Sequence, residues 1–218
     1  MRDPDPKTLF WRVGYFTSPV DFAPRARYEF NHRFDDVKRR FRSVYCAETA
    51  ATALRELLCD YRPNAEAIRL HVERYGPEAI EDIPSKPVTA SWRRQNVLQR
   101  VRIALDGFVA DLTDVATRQT VETAHAGLLV AHGLDHLDMA QVMTRDRVVT
   151  QTIASSLYDQ GAGAIRFASR LDGAPCIAVL EGRGRLEGVE AAISLSDPPP
   201  QVLVDVCGKW GLLLEPTD

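Results

Sequence analysis

Short apolar runs of strand length recur along the whole chain, and helix-patterned stretches fall between them at no fixed interval. The runs are residues 8–15 (TLFWRVGY), Arg42–Cys46, Val101–Leu105, Phe108–Leu112, Ala164–Ala168, Cys176–Leu180 and Gln201–Val206. Their β-branched and aromatic content suits strands. Apolar residues return at helical spacing from about Ala47 to Asp60, from Thr113 or Asp114 to about Ala131, and from Asp146 to Gln160. A doubly wound parallel sheet needs strands and helices to alternate in a regular βαβ rhythm, which this order lacks. An α+β fold is therefore predicted, as a single domain over 1–218.

Local signals sharpen this outline. Thr49 is placed to cap the first helix, and Gly161 to end the one that begins at Asp146. Asp106-Gly107 between two apolar runs predicts a tight hairpin. Residues 63–98, broken by Pro63, Pro77, Pro84 and Pro87, are helical only in patches and read as a possible insertion.

Composition excludes several classes. The chain has 218 residues, 45% of them hydrophobic and 26% charged, enough to build a core. A net charge of -3 gives no global basic field for nucleic acid or anionic lipid, and the clusters Lys38-Arg39-Arg40 with Arg42 and Arg93-Arg94 read as solvated faces. The opening MRDPDPKTLFWRV lacks the apolar run of a signal peptide, and no stretch reaches the roughly 18 apolar residues of a membrane span. Cys46, Cys59, Cys176 and Cys207 are scattered without a C-x-x-C pair, which fits reduced thiols in a cytoplasmic protein.

Two motifs suggest chemistry and are set aside. His132 and His136 stand four apart, but Gly133 weakens a helix there, the glutamate of H-E-x-x-H is missing, and no third ligand is evident, so no metal is predicted. Gly182, Gly184 and Gly188 match neither G-x-G-x-x-G nor a P-loop and read as a turn between strands.

A different set of residues is more informative. Arg33 precedes an aromatic, Tyr45 ends a short strand, Glu56 sits in an otherwise apolar helical stretch, and Ser169 follows a late strand. Singly, each has an ordinary structural role. Together, His32-Arg33-Phe34, Val44-Tyr45-Cys46-Ala47 and Ala53-Leu54-Arg55-Glu56 lie in the order and near the spacing of the RES family's arginine, "V-Y-x-A" and "A-L-x-E" motifs. Phe10-Trp11-Arg12-Val13, Asp106–Asp114 and Gly161–Arg170 resemble further pieces of that family, so the resemblance covers most of residues 8–181. The family's glycines before the first arginine are here Asn31-His32.

The resemblance implies a split, twisted β-core like that of ADP-ribosyltransferase toxins. It also implies a toxin that consumes NAD⁺ and is neutralised by an Xre-type antitoxin. Cleavage of the nicotinamide–ribose bond is implied, by phosphorolysis to nicotinamide and ADP-ribose 1″-phosphate. Water or a protein acceptor stays open, as does a nucleotide-binding module without turnover. The residues suit that chemistry. A planar guanidinium grips a pyrophosphate in paired bonds, the role given to Arg33 with Arg12 in support. A fixed carboxylate, Glu56, is suited to stabilise a ribosyl cation that develops in the transition state or to grip the ribose hydroxyls. Tyr45 is suited to stack on the nicotinamide or to direct its hydroxyl at the ribose, and Ser169 to supply a neutral hydrogen bond. Inorganic phosphate needs its own cations, for which Arg166 and Arg170 are the candidates.

Overall fold

The computed structural model describes residues 9–83, 85–144 and 147–217. Thr8, Pro84 and Asp146, which the sequence places in a strand, a break and a helix start, lie outside the described residues, as does most of the stretch read for a signal peptide. In chain order the elements are β1 (Leu9–Tyr15), β2 (Ser43–Ala47), α1 (Ala50–Leu58), α2 (Ala65–Tyr75), α3 (Ala90–Gln95), β3 (Asn96–Leu105) and β4 (Phe108–Asp111). There follow α4 (Val115–Ala124), α5 (Ala126–Ala131), α6 (Met139–Val142), α7 (Arg147–Asp159), β5 (Ala162–Ala168), β6 (Pro175–Leu180), β7 (Gly184–Gly188), β8 (Ile193–Ser194) and α8 (Gln201–Trp210). Helices and one mixed sheet make an α+β domain. No helix among the described residues is long and apolar enough to cross a membrane.

The eight-stranded sheet runs β4-β5-β6-β2-β1-β3-β7, with β8 beside β3, and is antiparallel except where β4 meets β5. Its halves join weakly: β1 and β2 share a single register pair, Trp11 with Ala47, whereas β1 and β3 pair along their length. Residues from both halves, including Phe10, Val44, Val101, Val109, Ile177 and Leu186, form a common core. The sheet is thus split at the β1–β2 seam and curled, with this smaller core between its halves. The other face carries the larger core, in which Leu54 and Leu58 of α1, Ile153 and Leu157 of α7, and Leu203 and Val206 of α8 meet Val13, Ile165, Phe167 and Ala178. Strand residues alternate between the two cores, as the period of two requires.

Curling explains one departure from the sequence reading. Asp106-Gly107 does turn the chain, but β3 and β4 do not pair. Leu105 pairs with Gly184 of β7, while Phe108 pairs with Ala162 of β5. Asp106 N–H donates to the Arg183 carbonyl at 2.7 Å, so the turn carries the chain from one half of the sheet to the other. Gly107, at φ 129, lies so close to Gly161 that a Cβ would come within 2.2 Å of its carbonyl oxygen. Only glycine fits both demands.

The second departure is Gln201–Val206, which is helix rather than strand. The alternation in QVLVDV suits a strand, but Leu203, Val206 and Cys207 are buried at helical spacing, the helix packs on α1, and Gly211 ends it in the left-handed conformation at φ 61. Tertiary burial overrides a six-residue pattern. The helix expected to run to Ala131 is interrupted at His125. Arg93 is not on a solvated face: it is 1% exposed and pairs with Asp197 at 2.5 Å. The segment 63–98 contains α2, a 3-10 helix over Pro77–Asp82 that packs on it, and α3.

Candidate active site

The loop that carries Arg33 is folded around two buried carboxylates. Asp35 accepts hydrogen bonds from the Tyr28 hydroxyl at 2.6 Å, the Ser43 hydroxyl at 2.6 Å, Ser43 N–H at 3.0 Å and His32 N–H at 2.8 Å. Asp36 accepts from Arg40 Nε at 2.8 Å, Arg40 N–H at 2.7 Å and the hydroxyl of Ser155 on α7. Buried carboxylates are tolerable only when so paired. The amide of Gln151, also on α7, donates to the carbonyls of Phe30 at 3.0 Å and His32 at 2.8 Å. These bonds hold Phe30 at φ 54, a left-handed conformation rare without glycine. The chain turns at Phe30 ahead of Asn31-His32, and α7 fastens that turn through Gln151.

That frame buries Arg33, which donates to the Val142 carbonyl at the end of α6 and lies with Cζ 5.9 Å from the centre of the Phe167 ring. Tyr45 stands beside it. Its ring meets Phe167 edge-on with centroids 5.9 Å apart and stacks with Phe34 at 6.5 Å, and the His32 ring is 5.8 Å away. Its hydroxyl accepts from Phe34 N–H at 2.8 Å and lies 3.3 Å from Ser43 Oγ. Burial, then the negative charge of Asp35, pushes the Tyr45 pKa upward, so the phenol stays protonated.

Glu56 and Ser169 are joined directly. Ser169, 1% exposed, closes the β5–β6 turn by donating its N–H to the Ala174 carbonyl at 2.8 Å, and its hydroxyl donates to Oε1 of Glu56 at 2.5 Å. Two neighbours of Glu56 grip the same turn. Thr52 Oγ1 donates to Asp172 at 2.9 Å and Arg55 at 2.6 Å. Thr49 caps α1, accepting from Thr52 N–H at 3.0 Å, as its sequence position predicts. Among the described residues no donor reaches the second carboxylate oxygen of Glu56.

Electrostatics tie these pieces into one locale. Burial lowers the Arg33 pKa; Arg147 lowers it further, Tyr45 and Glu56 raise it, and Arg170 acts with Arg147. The structure therefore brings Arg33, Tyr45, Glu56 and Ser169 together, with Arg170 at the margin, where it reaches Cys59 Sγ at 3.5 Å.

Arg12 and Arg166 are not in this group. Arg12 follows Trp11 and so turns to the smaller core, where it donates to the Asp21 carbonyl at 2.8 Å. Arg166 lies between Ile165 and Phe167 of the larger core, hence on the opposite face, and pairs with Glu48 at 2.7 Å. One step along a strand reverses a side chain, and the sequence motif does not reveal which face holds the cleft. Missing from the sequence reading are Arg147, Gln151, Phe167 and Asp35. Phe167 was accessible from its place two residues before Ser169 on the same strand face, and Arg147 from its place four before Gln151 on one helix.

A groove of about 600 Å³ lies elsewhere, at the edge of β4, lined by Val109, Asp111, Thr117, Thr120 and Leu157, and contains none of the four converging residues. His136 Nδ1 lies 3.2 Å from Glu122 Oε1. No group of three or more His, Cys, Asp or Glu residues able to hold a metal occurs among the described residues.

The fold is similar to that of the MbcT toxin in the crystal structure of the M. tuberculosis MbcT–MbcA toxin–antitoxin complex, with a TM-score of 0.52 and 14% identity, covering 92% of this chain and 88% of that one. No curated protein matches the sequence. The RES domain family model matches residues 9–197, which include all four converging residues, and the chain belongs to the RES domain family.

Proposed function

We propose that the chain is a toxin that binds NAD⁺ against Arg33 and Tyr45 and breaks its nicotinamide–ribose bond, with inorganic phosphate as acceptor. The observation that carries this reading is the carboxylate of Glu56, fastened through one oxygen by Ser169 and left with the other unclaimed, while Phe167, two residues before Ser169, meets Arg33 and Tyr45.

The chemistry follows from what each group offers. NAD⁺ presents a dianionic pyrophosphate and a cationic pyridinium on either side of a ribose. Arg33 spends one nitrogen on the Val142 carbonyl and keeps the rest of its fork for a phosphate oxygen. The Tyr45 hydroxyl is occupied inward by Phe34 N–H, so its ring face, rather than its oxygen, is what it presents to a flat cationic ring. As the C–N bond lengthens, positive charge moves onto the ribose. A carboxylate already oriented there stabilises that charge without reorganising at the moment of reaction. Nicotinamide leaves neutral, so no strong general acid is needed.

The relative in the MbcT–MbcA complex is held with an antitoxin. An NAD⁺ consumer in the cytoplasm needs such a partner, and we assign this chain one of the Xre type. The test is incubation of the purified protein with NAD⁺, with and without phosphate, following nicotinamide release and the identity of the sugar product. Phosphate-dependent formation of ADP-ribose 1″-phosphate supports the reading. Free ADP-ribose or labelled protein redirects it to water or a side chain as acceptor, and no release of nicotinamide overturns it.

A further inference from the structure

We propose that Asp172 is a positioning residue for Glu56: its carboxylate clamps the β5–β6 turn to α1 and so fixes the direction from which the Ser169 hydroxyl holds the Glu56 carboxylate. This rests on the NAD⁺ reading above, from which Glu56 has its role, and it gives Asp172 no contact with substrate.

Thr52, Arg55 and Glu56 stand at positions i, i+3 and i+4 of α1 and therefore share one face of it. All three end on the same turn. Thr52 Oγ1 donates to Oδ2 of Asp172 at 2.9 Å, Arg55 Nη1 donates to that oxygen at 2.6 Å, and Glu56 accepts from Ser169 at 2.5 Å. A single hydroxyl would leave the Glu56 carboxylate free to swing about one bond. Anchored two residues apart by its neighbours as well, the turn can neither slide along the helix nor rotate against it.

Asp172 also holds the turn from within. Its other oxygen, Oδ1, accepts from Ala174 N–H at 3.1 Å, and the Ala174 carbonyl accepts from Ser169 N–H at 2.8 Å. Gly173, at φ 72, makes the reversal and donates its N–H to the Ser169 carbonyl at 2.9 Å. The backbone that aims the Ser169 side chain is thus fixed through Asp172.

Magnitudes separate this role from a structural one. The Arg55 and Asp172 side chains are 21% and 18% exposed, and an ion pair reached by water adds little to stability. A carboxylate displaced by about 1 Å from a developing cation, however, loses much of its effect on rate. Asp172 also balances the charge of Arg55, the residue next to Glu56, so that this guanidinium is spent away from the carboxylate that faces the ribose.

Kinetics in two backgrounds test the role. Asp172→Ala should lower kcat for nicotinamide release about tenfold or more. The KM for NAD⁺ should stay within about twofold, because Arg33 and Tyr45 are held by Val142 and Phe34 and not by this turn. In the Glu56→Gln background the same substitution should change kcat by less than about twofold, since no carboxylate charge is left to aim. Asp172→Asn, close in shape, should show the same split, because one amide oxygen cannot serve both Ala174 N–H and the two donors of α1. Equal losses in both backgrounds make the effect merely structural and overturn the proposal, as does a parent-like kcat in both variants.

Hydrogen exchange needs no turnover. In Asp172→Ala the amides of Ser169 and Gly173 should exchange about tenfold faster or more, with β5 and β6 at parent rates. Unchanged exchange at these two amides overturns the clamp even if NAD⁺ is consumed. If exchange accelerates but the parent consumes no NAD⁺, the clamp stands and the reaction assigned to Glu56 fails.

Discussion

The hydroxyl of Ser169 donates to Oε1 of Glu56 at 2.5 Å, joining the β5–β6 turn to α1 across 113 residues of chain. The bond is buried on the serine side and leaves the other carboxylate oxygen of Glu56 open. One contact thus closes the fold and aims a candidate catalytic group.

Replacing Ser169 by alanine leaves a half-buried carboxylate short of a donor, and Leu171 N–H short of an acceptor. Unfolding in urea should show a loss of about 1–3 kcal/mol, and nicotinamide release should fall with it. A variant as stable as the parent would mean that this bond contributes little in solution.

Glu56→Gln separates folding from chemistry. The amide carbonyl still accepts from Ser169, so stability should change by less than about 1 kcal/mol. The charge that would stabilise a ribosyl cation is gone, and nicotinamide release should drop at least about a hundredfold. Equal rates for parent and variant would remove Glu56 from the chemistry.

Arg33 and Arg166 should behave oppositely. Arg33→Ala is expected to abolish measurable NAD⁺ binding by calorimetry, because the guanidinium held against the Val142 carbonyl and the Phe167 ring is lost. Arg166→Ala breaks a partly exposed ion pair on the far face and should cost no more than about 1 kcal/mol, with NAD⁺ consumption retained. A strong NAD⁺-binding defect in Arg166→Ala would return it to the site.

Stability should also fall in alkali. Burial, then Asp35, raises the Tyr28 and Tyr45 pKa values above the ordinary 10.0. The folded protein therefore holds these protons more tightly than the unfolded chain does. The resulting contribution is complete below about pH 10 and is lost as pH rises above it, while the unfolded phenols ionise. Denaturation at several pH values should show this decline, and Tyr28→Phe with Tyr45→Phe should flatten it. A parent whose stability holds level from about pH 9 to about pH 11 contradicts the burial described for the two rings.

Asp35→Asn should unfold the Arg33 loop first. Asparagine presents an N–H₂ where four donors converge on one carboxylate, so at least one clash of donors is unavoidable. Hydrogen exchange should accelerate across residues 28–43 before it does in the sheet.

Much of this was legible in the chain itself. Alternating apolar runs place most of the strands, the Thr49 cap marks the start of α1, and the order of Arg33, Tyr45, Glu56 and Ser169 is a linear motif. Gln201–Val206 was not legible as helix, since six residues fit either period and burial against α1 selects one. Nor was the partner of β4, because a turn signal such as Asp106-Gly107 specifies a reversal of the chain and not which strand receives it.

Local sequence alone determined propensity, periodicity and the identity of the reactive side chains, since those depend on neighbours a few residues away. Only the tertiary structure decided which of the arginines share a cleft. Arg12 and Arg166 stand as near to the motifs as Arg33 and Arg170 do, but strand alternation and the curl at the Trp11–Ala47 seam put them on the other face. Gln151, outside every motif, is brought in because its amide satisfies the carbonyls of Phe30 and His32 in the Arg33 loop. Facing is a property of the assembled sheet, and a chain read one residue at a time does not contain it.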